Sequence, residues 1–308
     1  MTIKRQRTLN QEHVFCGKGL HTGQVARMVL KPADENIGIV FHRTDLGDDA
    51  FVEAVAENVT STARSTTISK GEASVSTIEH LMSALTGMGV DNVIVEIDNV
   101  EVPILDGSAR YYVEAFKEDG LNEQEAAKEY VTVPEEIVIK DEKTGSFIKV
   151  TPSDTPSIDL TVDFGSKVLG VQKASWDCGT DYSSEIAPCR TFVFFHEIEY
   201  LFQNNLVKGG DVENAIVIVE HPVTQEQVDT LAGLFNVPSL AIDSNGYLNN
   251  LQLHFPDECG RHKLLDLIGD LSLAGGLLNA RVEAFKPGHS INTRMAKAIR
   301  EAITNSKL

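Results

Sequence analysis

The stretch Arg261-His262-Lys263-Leu264-Leu265-Asp266-Leu267-Ile268-Gly269-Asp270 has residue types and spacing that can hold a metal. Read as helix, it sets His262, Asp266 and Asp270 at steps of four, within an arc of about 80° at 3.6 residues per turn. The leucines and the isoleucine between them supply an apolar face. An imidazole and a carboxylate one turn apart can share a divalent cation, and zinc accepts both donor types. A catalytic zinc usually takes three protein ligands and keeps one position open for water. The helix therefore needs a third donor, and acid–base groups, from elsewhere in the chain.

Two other histidines stand where elements begin. Ser76-Thr77-Ile78-Glu79-His80 opens a helix expected to run from about Ser76 to Leu85 and to end at Gly87 and Gly89. Ser76-x-x-Glu79 also fits a capping box, so Glu79 and His80 have structural readings beside chemical ones, and both stay open here. His289 follows Pro287-Gly288 on a turn, with Ser290 or Asn292 available to cap a last helix through Ile299. A loop histidine held before a helix is a candidate acid or base, and equally an ordinary surface residue. Gly17-Lys18-Gly19-Leu20-His21-Thr22-Gly23 lacks the G-x-G-x-x-G spacing of a dinucleotide loop and reads as a tight turn, with His21 inside it.

The elements that must position these residues come in two sets. Strand patterns at Ala26–Leu30, Gly38–Phe41, Phe51–Val55 and Val93–Ile97 surround the His80 helix. Further strands are expected at Tyr130–Val133, Glu136–Lys140, Phe147–Thr151 and Ile158–Phe164, with Ala280–Phe285 after the His262 helix. Each set thus carries a helix with a histidine near its start, a glycine stop and a strand behind it, a faint internal echo. If the two helices meet, His80 is the third ligand. The polar run Glu118–Glu129 reads as the connection between sets, giving domains at residues 1–126 and 127–308. Phe192–Phe195, a helix from about Glu197 to Leu206, Gly209-Gly210 and Ala215–Val219 form a β-α-β excursion, either a small core or an apolar channel. Gln225–Leu234 is a further helix.

Composition narrows the function classes. Against 45 acidic residues stand 27 Lys and Arg, a net charge of -18, which excludes a general nucleic-acid binder while permitting a local basic pocket for a small anion. No run of about 18 apolar residues predicts a membrane span, and the basic N-terminus is followed by no apolar signal core, so a cytoplasmic location is expected. Cys16, Cys178, Cys189 and Cys259 form no C-x-x-C pair and read as reduced thiols.

Five motifs occur in one order: Ser76-Thr77-Ile78-Glu79-His80-Leu81, Pro103-Ile104-Leu105-Asp106-Gly107-Ser108, Arg190-Thr191-Phe192, His262-Lys263-x-x-Asp266-x-x-Gly269-Asp270-Leu271 and Gly288-His289. The ordered set resembles the UDP-3-O-acyl-N-acetylglucosamine deacetylases, zinc amidases of lipid A synthesis in Gram-negative bacteria, and the resemblance covers nearly the whole chain. It implies an α+β fold of two domains with similar topology. Each is a β-sheet layered against helices, the helix layers face each other, and each domain carries an insert, that at about 192–219 enclosing a fatty acyl chain.

The resemblance further implies one zinc per chain on His80, His262 and Asp266, with Fe(II) able to take similar ligands. It makes Glu79 the general base, His289 the acid, Asp270 the carboxylate that keeps His289 charged, and Thr191 a stabiliser of the oxyanion. Lys263, set beside a ligand but off the metal face, is the candidate for the diphosphate, and Phe164 lies near the nucleotide. Phe192, Ile198, Leu206, Val207, Gly210, Ala215 and Val217 line the acyl passage. The implied partner is the acylated UDP-sugar, bound by a monomer, and some members carry a C-terminal hydroxyacyl dehydratase domain. Two rivals stand beside this reading: another metal-dependent sugar deacetylase, and a non-catalytic nucleotide-sugar binding protein.

Overall fold

The computed structural model describes residues 4–203 and 208–306. The first half runs β1 (Arg5–Leu9), β2 (His13–Lys18), β3 (Val25–Pro32), β4 (Ile39–Arg43), β5 (Phe51–Glu53), β6 (Val59–Ser61), β7 (Thr67–Lys70), β8 (Ala73–Val75), α1 (Glu79–Met88), β9 (Val93–Ile97), α2 (Arg110–Asp119) and β10 (Leu121–Ala127). Its main sheet has the order β2-β3-β9-β4-β5, with β4 parallel to β9 and the other pairs antiparallel. Alternation drives the burial: Val93, Val95 and Ile97 of β9 and Ala26, Met28 and Leu30 of β3 face the core. Strands β6, β7 and β8 form a small antiparallel insert just before α1.

The second half runs β11 (Ile137–Asp141), β12 (Ser146–Pro152), β13 (Ser157–Asp163), β14 (Val171–Asp177), α3 (Tyr182–Glu185), β15 (Phe192–Phe194), α4 (Phe195–Gln203), β16 (Ile216–Ile218), α5 (Gln225–Leu234), α6 (Glu258–Ser272), β17 (Ala280–Phe285) and α7 (His289–Ser306). The sheet order is β11-β12-β17-β13-β14, again with one parallel pair, β13 with β17. Order and strand senses match the first sheet, so the faint echo in the sequence is a topological repeat. Parallel β15 and β16 joined through α4 make the insert of this half. The fold is α+β.

Helices α1 and α6 pack against each other. Glu79 through Thr86 of α1 are all buried, as are most residues of α6, the pattern of helices enclosed between layers rather than lying on a surface. Gly269 sets their spacing. A Cβ there would stand 2.1 Å from the Glu79 carbonyl oxygen and 3.1 Å from the Ser83 amide nitrogen. The backbones therefore touch where the chemistry-bearing ends of both helices lie. Among the described residues, no helix is long and apolar enough to cross a membrane.

Several expectations need correction. Glu118–Glu129 is not a linker: α2 ends in it, and β10 pairs antiparallel with β1. Its exposed, polar alternation belongs to a strand in a two-stranded sheet with little to bury. Tyr130–Val133 makes a single bridge, Val131 to Leu278, rather than a strand. Strands β1, β2, β6, β7, β8 and β14 fall outside the expected set. Helix α1 starts at Glu79, because Thr77 stands at φ 58°, outside the helical region. Helix α7 begins at His289 itself and reaches Ser306, beyond Ile299.

Gly269→Ala should therefore lose about 1–3 kcal/mol of stability by overpacking. Gly233→Ala, with nothing within 4 Å of the added methyl, should be neutral or slightly stabilising. Urea unfolding of both variants checks this, and equal midpoints would contradict the role assigned to Gly269.

Candidate metal-centred active site

His80, second residue of α1, and His262 and Asp266, one turn apart on α6, are brought together by the α1–α6 contact. One ligand atom from each lies within 4.8 Å of the others. Both Nε2 atoms face Asp266 Oδ1, at 3.5 Å from His80 and 3.4 Å from His262. All three residues are buried, and Asp266 Oδ1 has no hydrogen-bond partner among the described residues. A buried carboxylate oxygen without a donor is costly, and two imidazole nitrogens turned toward it are what a bound divalent cation would resolve. The residues present fit a metal.

The surrounding contacts fix each donor. His262 Nδ1–H donates to the Cys189 carbonyl at 3.1 Å, which leaves Nε2 as the inward lone pair. Burial pushes the His262 imidazole down to about 3, so it is neutral, as ligation requires. Burial alone would raise the Asp266 carboxyl, but the Lys263 ammonium against it helps hold it well below its ordinary value. Contrary to the expectation that it lies off the metal face, Lys263 turns onto it. Its Nζ donates to Asp266 Oδ2 at 2.7 Å and lies 5.5 Å from the centre of the Phe192 ring.

Glu79 and His289 face each other beside this cluster, with Glu79 Oε1 3.8 Å from His289 Nε2. The capping box is not formed: α1 has no side-chain cap, and Glu79 Oε2 accepts from the Thr66 amide at 3.0 Å. Burial lifts the Glu79 carboxyl above its ordinary value. His289 Nδ1 lies 2.9 Å from Asp270 Oδ2, which also accepts from Asn292 Nδ2 at 2.9 Å. Asn292 thus serves Asp270, and its Oδ1 accepts from the Gly288 amide. Burial would lower the imidazole, but the Asp270 and Glu79 carboxylates outweigh it and push His289 up to about 9. It is therefore charged at neutral pH, donating from Nδ1 to Asp270 and presenting Nε2–H toward Glu79.

Thr66, which no sequence pattern singled out, joins the two halves of this arrangement. Its hydroxyl donates to Asp270 Oδ1 at 2.5 Å while its amide holds Glu79. The signal was invisible locally because Thr66 lies on the β6–β7 connection and meets Asp270 only across the fold. The two motifs without titratable roles prove to be supports. Arg190 is buried against Glu258, the first residue of α6, with Nε to Oε1 at 2.8 Å, and the Thr191 amide donates to the Gly107 carbonyl at 2.8 Å. The Gly19–Gly23 turn spends its His21 and Thr22 amides on the Glu101 carboxylate, at 2.9 and 2.8 Å, so it is a tight turn and not a phosphate cradle. Glu101 also accepts from the Thr77 hydroxyl at 3.0 Å, which ties the turn to the segment leading into α1.

A cavity of about 450 Å³ opens from the cluster into the second insert. Thr191, Phe192, Phe164, Ile198, Gly210, Ala215, Val217 and Lys263 all line it. Leu206 and Val207 lie outside the described residues. Phe194, Leu201 and Phe235, and the polar Arg64, Asp211 and Asn214, line the same cavity and were not legible in the sequence. Phe164 packs edge-on to Phe192 at 5.5 Å between ring centres.

His289 carries a stability prediction with a definite sign. Its folded value is raised from 6.5 to about 9, so its contribution is fully present below 6.5 and is lost as pH rises through about 9. Asp270→Asn removes the nearest raising charge, so the imidazole should titrate at lower pH. NMR titration of the His289 ring reads this directly, and an unchanged midpoint would contradict it.

The family model for UDP-3-O-acyl N-acetylglycosamine deacetylase matches residues 6–232 and 226–301. A protein of Porphyromonas gingivalis named bifunctional enzyme LpxC/FabZ is 42% identical over 305 residues, 99% of this chain and 66% of that protein. Its namesake in Bacteroides thetaiotaomicron is 43% identical over 299 residues, 97% of this chain and 65% of that protein. The chain thus spans just under two thirds of the length of these bifunctional relatives. A UDP-3-O-acyl-N-acetylglucosamine deacetylase of Syntrophotalea carbinolica is 40% identical over 296 residues, 96% of this chain and 87% of that protein. With the match extending from the first strand into the last helix, the chain belongs to the UDP-3-O-acyl N-acetylglycosamine deacetylase family.

Proposed function

We propose that this protein hydrolyses the 2-acetamido group of a UDP-3-O-acyl-N-acetylglucosamine, releasing acetate, as a step of lipid A synthesis in the cytoplasm. The observation that carries the reading is the convergence of His80, His262 and Asp266 with Glu79 and His289 at the end of an apolar cavity. Family membership and the name of the Syntrophotalea relative support the substrate class.

His80, His262 and Asp266 would hold the metal, which we take to be zinc because two imidazole nitrogens, one carboxylate and an open position suit it. When bound, that ion supplies Lewis acidity, polarising the amide carbonyl and making water more acidic. Glu79 accepts the proton of the attacking water, and its raised carboxyl is better matched to that task than an exposed glutamate would be. The new C–O bond makes a tetrahedral centre whose oxygen carries the charge. Thr191, lining the cavity, and the charged His289 would stabilise it. His289 then protonates the leaving nitrogen as the C–N bond breaks, giving acetate and a free amine. Asp270 keeps His289 oriented and charged, and Thr66 and Asn292 hold Asp270.

Phe192, Ile198, Gly210, Ala215 and Val217 would contact the acyl chain, while Lys263 and Phe164 would meet the diphosphate and the nucleotide; that all of them line the one cavity supports this. The division into domains at residues 1–126 and 127–308 is supported by the repeated strand order. A monomer is supported by all metal donors and both proton-transfer groups coming from one chain. A fused second domain in longer relatives is supported by their bifunctional names and their length.

The decisive measurement is acetate release from the acylated UDP-sugar with and without a chelator. Activity should vanish on metal removal, return with zinc, and fall about 10²–10⁴-fold in Glu79→Ala with little change in KM. An analogue lacking the 3-O-acyl chain should react much more slowly. Chelator-insensitive release would overturn the reading, and equal rates with the acyl-lacking analogue would point to a different sugar substrate.

A further inference from the structure

We infer that His196, Glu220 and His221 form a second site for a divalent transition-metal ion, on the β15–α4–β16 insert and separate from the buried cluster. One ligand atom from each of the three lies within 4.8 Å of the others. The topology sets them there. Strands β15 and β16 are parallel, with Phe194 opposite Ile218, so the residues two places beyond, His196 and Glu220, emerge side by side at the strands' C-terminal ends. His221 follows directly, and its ring centre is 5.4 Å from that of His196.

The donor set is specific in its chemistry. Two imidazoles and one carboxylate suit zinc, cobalt, nickel or copper, and not magnesium or calcium, which take oxygen ligands. The Lys167 amide donates to Glu220 Oε1 at 3.1 Å, which restrains the carboxylate and uses one of its roughly four lone-pair sites. His196 and His221 are exposed, so they keep access to water and to an incoming ion without the desolvation that accompanies His262. That exposure makes the site the weaker and faster-exchanging of the two.

An ion held here would join the start of α4 to the segment after β16. It would also act on the cavity, because the His196 ring stacks on Phe194 at 5.6 Å with planes 27° apart, and Phe194 lines the cavity wall. The second ion therefore braces the insert from outside.

The test is metal stoichiometry on the full chain, stripped and then dialysed against rising free Zn2+, with bound metal measured by mass spectrometry. Wild type should reach about two equivalents and His196→Ala/His221→Ala about one, while His80→Ala should keep the weaker equivalent. Substituted Co2+ should show the loss of one absorbing centre in the double variant. Circular dichroism establishes that the variants are folded, which two exposed substitutions should not alter. Saturation of the wild type at one equivalent, or retention of both by the folded double variant, would overturn the inference. Neither result would bear on the buried centre, whose test is acetate release.

Discussion

Everything at this site depends on two helix backbones touching. Gly269 of α6 lies against the carbonyl of Glu79 on α1, a spacing that no side chain at that position would allow. That contact places His80 within reach of a His and an Asp fixed by the periodicity of the other helix. Each helix is backed by a sheet of the same topology, so the interface is the meeting of two repeated units rather than a surface cleft. A site built on helices between two sheets has little freedom to drift, as preorganised donors require.

The buried charges make sense only as a set. Asp266, Glu79 and Asp270 are carboxylates removed from water, and each is answered differently. Asp270 is fully used, by Thr66, His289 and Asn292. Glu79 is held by one backbone amide, and burial raises its carboxyl against the lowering pull of the charged His289, while the Asp270 and Glu79 carboxylates raise that imidazole. Asp266 is half satisfied, by Lys263 on one oxygen, and the other oxygen is left for a cation. The gradient from satisfied to unsatisfied runs toward the His80, His262 and Asp266 cluster, beside which Glu79 and His289 stand less than 4 Å apart.

The second insert adds the apolar part of the site. Its parallel strand pair brings Phe192 and Phe194 from one strand, and Val217 with Ala215 just before it from the other, to the cavity lining. Arg190 and Glu258 anchor this insert to the first turn of α6, so the apolar wall and the metal helix share one buried ion pair. Removing one member of such a pair strands the other charge, and this explains why a motif residue with no chemical role stands beside Thr191.

What the sequence determined by itself was periodic and local. Steps of four put His262, Asp266 and Asp270 on one face, apolar runs and glycine stops marked the helices and several strands, and the ordered motifs carried the family. The exposed strand β10 hid as a linker because a strand with nothing to bury shows no apolar alternation. The capping box misled because Thr77 leaves helical geometry and frees Glu79 to meet Thr66. Thr66, the Glu101 clamp on the glycine turn and the turn of Lys263 onto Asp266 were not legible, since each depends on partners met through folding or on one rotamer. Spacing along a helix is written in the chain, because the backbone repeat is fixed. Which helix faces it, how closely, and whose hydroxyl fills the last lone pair are settled only by tertiary packing, where backbones approach to the limit a single glycine permits.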